Sequence, residues 1–104
     1  MSYPRVDLGK VGIWYGQIDA LPTPEARRAA QLIEELGFPS LWVAEAVGRD
    51  PFVSSAILLG ATKNLKLATG INNIYARDPM TMVAGQKTLA EAFPDRFLLG
   101  LGVS

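Results

Sequence analysis

Residues 69–79 read T-G-I-N-N-I-Y-A-R-D-P, and the fold turns on how that stretch is parsed. Upstream of it, Leu65 to Ile71 is a short apolar run that reads as a buried strand. At its downstream end, Asp78-Pro79 has the chemistry of a helix start. The Asp side chain can cap free N–H groups, and proline tolerates the first helical position because its missing N–H had no partner there. Between strand and helix lie Asn72, Asn73, Tyr75 and Arg77. These residues sit at the carboxyl end of a strand, where parallel α/β proteins place their chemistry.

The same parse works twice more. Arg49-Asp50-Pro51 and Arg77-Asp78-Pro79 are one tripeptide repeated 28 residues apart, and Pro24 precedes Pro51 by 27 residues. Each spacing fits one βα unit. Strand one is expected at Lys10 to Tyr15, followed by a loop from Gly16 to Leu21. Helix one is expected to start at Thr23-Pro24-Glu25, with Thr23 as its cap, and to end at Gly37 in a left-handed conformation. Its apolar face is Ala26, Ala29, Ala30, Ile33 and Leu36, with Glu34 among the residues off that face. Strand two is Leu41 to Ala44, and Glu45 to Arg49 form the next loop. Helix two runs from Asp50-Pro51 to about Thr62. It is so apolar that it needs cover on more than one side. Helix three runs from Pro79 to about Phe93, and strand four from Arg96 to Leu101. The order is β-α-β-α-β-α-β, an α/β fold with a parallel sheet.

Composition narrows the chemistry. The chain has 104 residues, enough for one compact unit, and 49% of them are hydrophobic, which argues for a folded core. Ten basic and ten acidic residues cancel, leaving no basic surface for nucleic acid. Cysteine and histidine are both absent, which removes disulfides, thiolate nucleophiles, histidine triads and most zinc sites. No metal site is expected. No run is long and apolar enough to span a bilayer, and M-S-Y-P-R-V-D is not a signal peptide. A cytoplasmic location is expected.

The repeat alone leaves a (β/α)₈ barrel and a doubly wound sheet both open. Its near-constant length leans toward the barrel. Y-G-Q-I-D after strand one is no phosphate-binding G-x-G-x-x-G, which counts against a dinucleotide fold. Gly100-Leu101-Gly102 reads as a tight strand end.

Residues 69–79, with L-W-V-A-E-A-V-G-R-D-P-F at 41–52 and R-F-L-L-G-L-G-V-S at 96–104, resemble the luciferase-like monooxygenase superfamily. They are most similar to its deazaflavin-dependent branch. The resemblance runs from about Gly12 to Ser104. It implies the amino-terminal half of a TIM (β/α)₈ barrel, with 1–104 supplying strands 1–4 and helices 1–3. It implies coenzyme F420, or alternatively FMN, as cofactor, used for hydride transfer or oxygen activation on a small organic substrate. A whole barrel takes about 250 residues. The chain is therefore expected to be a piece of a longer enzyme, its carboxyl-terminal half missing, or to associate with itself. An alternative from another class is a non-catalytic half-barrel that self-associates or completes a partner chain.

The resemblance also implies roles for particular residues. Gly70-Ile71 matches the place where deazaflavin enzymes of the family carry a non-proline cis peptide in a bulge behind the ring. Asn72 and Asn73 can both donate and accept hydrogen bonds, as a ring edge of carbonyl and N–H groups requires, and are assigned with Gly70 and Ile71 to cofactor binding. Many relatives have an acid followed by histidine where this chain has Glu45-Ala46, so proton transfer is expected to fall to Glu45, the candidate catalytic residue, or to a residue beyond the end of this chain. Trp14 and Tyr15 are expected to line the substrate pocket, and Trp42 to line an apolar pocket with Trp14 or to pack in the core. Arg77 is expected to neutralise an anionic group, to be solvated or to pack against a helix. The family's phosphate-binding loops belong to the other half of the barrel.

Overall fold

The computed structural model describes residues 6–46 and 48–103. Met1 to Arg5, most of the segment read against a signal peptide, and Val47 in the expected loop lie outside the described residues. Four strands form one parallel sheet: β1 (Ile13–Trp14), β2 (Ser40–Val43), β3 (Lys66–Thr69) and, after a short β4 (Asn72–Asn73), β5 (Phe97–Leu98). Their spatial order is β1-β2-β3-β5. β4 pairs in parallel with β6 (Leu101–Gly102) as a separate two-stranded ladder. The helices are α1 (Thr23–Glu35), α2 (Pro51–Ala61) and α3 (Pro79–Ala92), with a 3₁₀ turn at Gly16–Ala20.

Sequential strand order decides between the two architectures. When each strand lies beside the previous one, right-handed crossovers put every helix on the same face. That is the arrangement in the core. Leu41, Val43, Leu65, Leu67 and Phe97 meet Ala26, Ala30 and Ile33 of α1, Leu58 and Leu59 of α2 and Leu89 of α3 in one buried cluster. A doubly wound sheet would have helices on both faces. The chain is thus a segment of singly wound barrel wall. α2 is the middle helix, packed on the sheet and against both α1 and α3, which accounts for its uncharged composition.

Among the described residues, the opposite face of the sheet carries no helix. Trp14, Trp42, Ala68 and Leu98 pair in register along one row across all four strands. Trp14 is 59% exposed and Leu98 37%, so this row is open at both edges. Trp42 lies beside Trp14 in this row, away from the helix-side core, because strand side chains alternate and Leu41 and Val43 take the other face.

Asp50 and Asp78 act as caps. Asp50 accepts from the N–H groups of Phe52 and Val53, at 2.9 and 3.0 Å, and Asp78 from that of Thr81 at 2.8 Å. Thr23 does not cap. It is the first helical residue, and Pro22 holds the cap position with no side-chain bond. Gly37 has φ +92°, the left-handed cap expected of it.

Two expected strands are broken. Strand three is interrupted at Gly70-Ile71 and strand four at Leu99-Gly100, and both breaks fall at the same level. There the Thr69 hydroxyl donates to the Gly100 carbonyl at 3.1 Å and accepts from the Gly100 N–H at 2.9 Å. A Cβ on Gly100 would collide with the Thr69 carbonyl oxygen. Gly100 therefore marks a close approach of two backbones where strand four kinks, rather than the strand's end.

The amino-terminal edge of the sheet is tied by charge. Glu34, on α1, accepts from the N–H groups of Lys63, Asn64 and Leu65, the last at 2.7 Å. Arg96 donates to the carbonyls of Leu59 and Leu65 and to the Thr62 hydroxyl, closing the carboxyl end of α2. Burial pushes the Glu34 carboxyl upward, but the three N–H bonds and Arg96 outweigh it, and the net direction is below 4.5.

Gly100→Ala should destabilise the protein by about 2–3 kcal/mol in urea unfolding, while Gly16→Ala, with open space around it, should change little. Glu34→Ala should cost about 1–3 kcal/mol at neutral pH. Because the folded-state value of Glu34 is lowered, its contribution is complete above pH 4.5 and drains away as pH falls through that lowered value. Wild type and variant should therefore converge in stability under acid conditions.

Candidate functional site

The polar residues of 69–79 gather at the carboxyl ends of the strands, as the βα pattern requires. The Gly70-Ile71 peptide is cis. It lies between β3 and β4, in the segment where the chain leaves one ladder and enters the next. A Cβ on Gly70 would come within 3.2 Å of the Trp14 ring and 3.6 Å of the Trp42 ring, so both indoles reach up beneath this segment. Ile71 packs its side chain toward Gly102, where a Cβ would stand 3.0 Å away.

The two asparagines part company. Asn72 is fully buried, its Nδ2 lying 3.9 Å from the Met82 sulfur on α3 and its Oδ1 without a partner among the described residues. Its side chain faces Met82 in the helix layer rather than the rim where a cofactor-binding role was expected of it. Asn73 is half-buried. Its Oδ1 accepts from the Tyr75 N–H at 2.8 Å, an Asx turn, and its carbonyl accepts from the Ala76 N–H at 3.2 Å. The Asn73 Nδ2 donates to nothing among the described residues.

Glu45 follows β2 and reaches across to this segment. Its Oε1 accepts from the Asn73 N–H at 2.8 Å and from Arg77 Nη1 at 3.0 Å, and its Oε2 accepts from Arg77 Nη2 at 2.7 Å. The pair is largely removed from solvent, with side-chain exposures of 11% for Arg77 and 17% for Glu45. Arg77 also stands over the Phe52 ring, 5.4 Å from its centroid, and 3.5 Å from Asp50 Oδ2. Of the expected readings, the structure takes the one in which Arg77 neutralises anionic groups, here the carboxylates of Glu45 and Asp50. The Arg77 hydrogen bonds hold the Glu45 carboxyl below its usual range; burial opposes this and the Asn73 N–H reinforces it. Glu45 is therefore an ionised acceptor at neutral pH, with both oxygens engaged. That is a poor state for a proton donor.

Trp14 lies on the open face beneath Gly70. Tyr15 does not join it: adjacent strand residues point to opposite faces, and Tyr15 packs against the helix-side core. This corrects its assignment to a pocket. Sequence reasoning also missed Asp19 in the 3₁₀ turn. Ser54 donates to it at 3.2 Å, and burial pushes its carboxyl up, against that bond and the nearby Arg49. Nothing in its local sequence distinguished it from an ordinary loop acid.

Among the described residues, no cluster of acids could hold a metal ion, and no helix is long and apolar enough to cross a membrane. The structure thus defines one wall of a parallel α/β barrel with a polar, carboxylate-centred layer at its strand ends. A model of the luciferase-like monooxygenase family matches residues 7–104, and the chain belongs to that family. It is 30% identical over 95 residues to a Mycobacterium tuberculosis protein named "Putative coenzyme F420-dependent oxidoreductase Rv3520c", covering 91% of this chain and 27% of that one. It is 30% identical over 82 residues to 5,10-methylenetetrahydromethanopterin reductase of Methanolobus tindarius, covering 78% of this chain and 25% of that protein. Among solved structures, the oxygenating constituent of 3,6-diketocamphane monooxygenase from Pseudomonas putida, in complex with FMN, superposes with a TM-score of 0.76. Its identity is 16%, and the match covers 98% of this chain and 30% of that one. At that identity the likeness shows the fold. The chain spans about a quarter to a third of the length of the proteins it matches.

Arg77→Ala should raise the Glu45 carboxyl toward its ordinary value. A carboxyl-carbon NMR titration reads this directly, and an unmoved Glu45 midpoint would show that the Asn73 N–H alone sets its acidity.

Proposed function

We propose that this chain is the amino-terminal part of a luciferase-like oxidoreductase that holds a deazaflavin, coenzyme F420, or alternatively FMN, at the carboxyl ends of its strands. The observation that carries this reading is Asn73. Its amide oxygen is spent on Tyr75, its backbone N–H is spent on Glu45, and its Nδ2 is left as a fixed donor beside a segment without a side chain at Gly70. That donor set suits the acceptor edge of a planar ring. Gly70-Ile71 would back the ring, Asn73 would hold its edge, and Trp14 would border the substrate space. The names of two relatives and the FMN complex of a structural neighbour support a redox cofactor of this class.

When bound, such a cofactor supplies hydride transfer or oxygen activation. What this chain's residues do is bind, orient and exclude water. Groups for the cofactor's phosphate tail are expected from further strands of the barrel, which the length of the relatives supports. The same strands would cover the open row of Trp14 and Leu98. The substrate is a small organic molecule, and its acid or base partner lies outside Glu45-Ala46. A non-catalytic half-barrel finds no comparable support.

The test is a fluorescence titration of the protein, expressed from its complete coding sequence, with oxidised coenzyme F420 and separately with FMN. Wild type should bind one of them saturably. Asn73→Ala should weaken that binding roughly tenfold, about the worth of one hydrogen bond to a buried group, with little change in melting temperature. Unchanged affinity with a lowered melting temperature would make Asn73 a turn residue only.

A further inference from the structure

Glu45 meets the segment between β3 and β4 on both sides of its bend. Its backbone N–H donates to the Ile71 carbonyl at 3.0 Å, and its Oε1 accepts from the Asn73 N–H at 2.8 Å. Two residues earlier, the Val43 carbonyl accepts from the Gly70 N–H at 2.7 Å. The end of β2 thus holds Gly70, Ile71 and Asn73 in succession. Glu45 is itself held. Arg77 engages both its oxygens, the Phe52 ring lies against the guanidinium, and Asp50, the cap of α2, stands on its far side. The start of α2 thus reaches the Asn73 backbone through two side chains, beside the ladder that pairs Asn73 with Gly102.

We propose that Glu45 is a positioning residue, gripping the Gly70–Asn73 segment from both flanks so that Asn73 Nδ2 points at an acceptor on the ring of the bound ligand. This deepens the cofactor reading above and rests on it. A protonated Glu45 would give up an acceptor site that Asn73 or Arg77 now fills, so its task is to stay ionised. The depressed carboxyl value agrees with that task. The ligand class follows from the free donor: a planar ring presenting a carbonyl oxygen or an unprotonated ring nitrogen at its edge.

The experiment is a double-mutant cycle of Glu45→Ala and Asn73→Ala, read by the dissociation constant of oxidised coenzyme F420 and of FMN. It is paired with amide hydrogen exchange at Asn73 in the ligand-free protein. Each single variant should weaken binding roughly tenfold, and the double variant should be no worse than either, because Glu45 acts only through Asn73. Exchange at Asn73 should quicken in Glu45→Ala while that at Leu67 and Ala68, inside β3, stays slow. Additive losses in the cycle or full affinity in Glu45→Ala would each overturn the proposal. If wild type binds neither cofactor, the reading it rests on fails and positioning falls with it, and quickened exchange at Asn73 would then mark a structural tie. If Glu45→Ala does not fold, Arg77→Lys takes its place, and the same coupling to Asn73→Ala is expected.

Discussion

The contact on which the upper half of this structure depends is the one between Thr69 and Gly100. Two neighbouring parallel strands approach there until no side chain fits on the glycine, and the threonine hydroxyl bridges both polar groups of the opposing residue. The Gly100 carbonyl then also accepts from the Asn72 N–H at 2.8 Å. One backbone group thus serves the end of the main sheet and the start of the β4–β6 ladder. Both strands bend at this level, and the bend carries Asn73 out to the rim. The breaks in strands three and four are one event seen from two sides.

Below that level the protein is held by apolar burial, and above it by a polar network. The helix side of the sheet is filled by leucine, isoleucine, alanine and phenylalanine, and α2, wedged between α1, α3 and the sheet, carries no charge. At the rim, Glu45, Arg77, Asp50 and Asn73 replace that packing with charge-assisted hydrogen bonds at 2.7 to 3.0 Å and one looser contact. Charges withdrawn from water are costly unless every lone pair and proton finds a partner. Glu45 goes most of the way to this condition, with three hydrogen bonds to its two oxygens. Such a network rigidifies what it holds, which is what a site needs if it is to orient a ring without using a residue of its own for the chemistry.

The other face of the sheet has no such filling. Trp14, Trp42 and Leu98 form a row that in a closed barrel would face the interior. The proteins this chain matches are three to four times as long.

Read alone, the sequence determined the order of elements, because helix periodicity, Asp-Pro starts and the 28-residue repeat are local signals that need no partner to be read. It also placed Asn73, Glu45 and Gly70 at strand ends, since βα alternation fixes which end is which. Tertiary structure alone decided which way those side chains face. Asn72 and Asn73 are adjacent and chemically identical, yet one is buried against Met82 and the other reaches the rim. Trp14 and Tyr15 divide between the open face and the core in the same way. A pleated strand alternates, and only the pairing of β1 with β2, at Ile13 with Leu41 and Trp14 with Trp42, sets which residue takes which side. The Glu45–Arg77 pair spans 32 residues, and Gly100 meets Thr69 across 31. No local pattern encodes such contacts, because they exist only once the strands lie side by side.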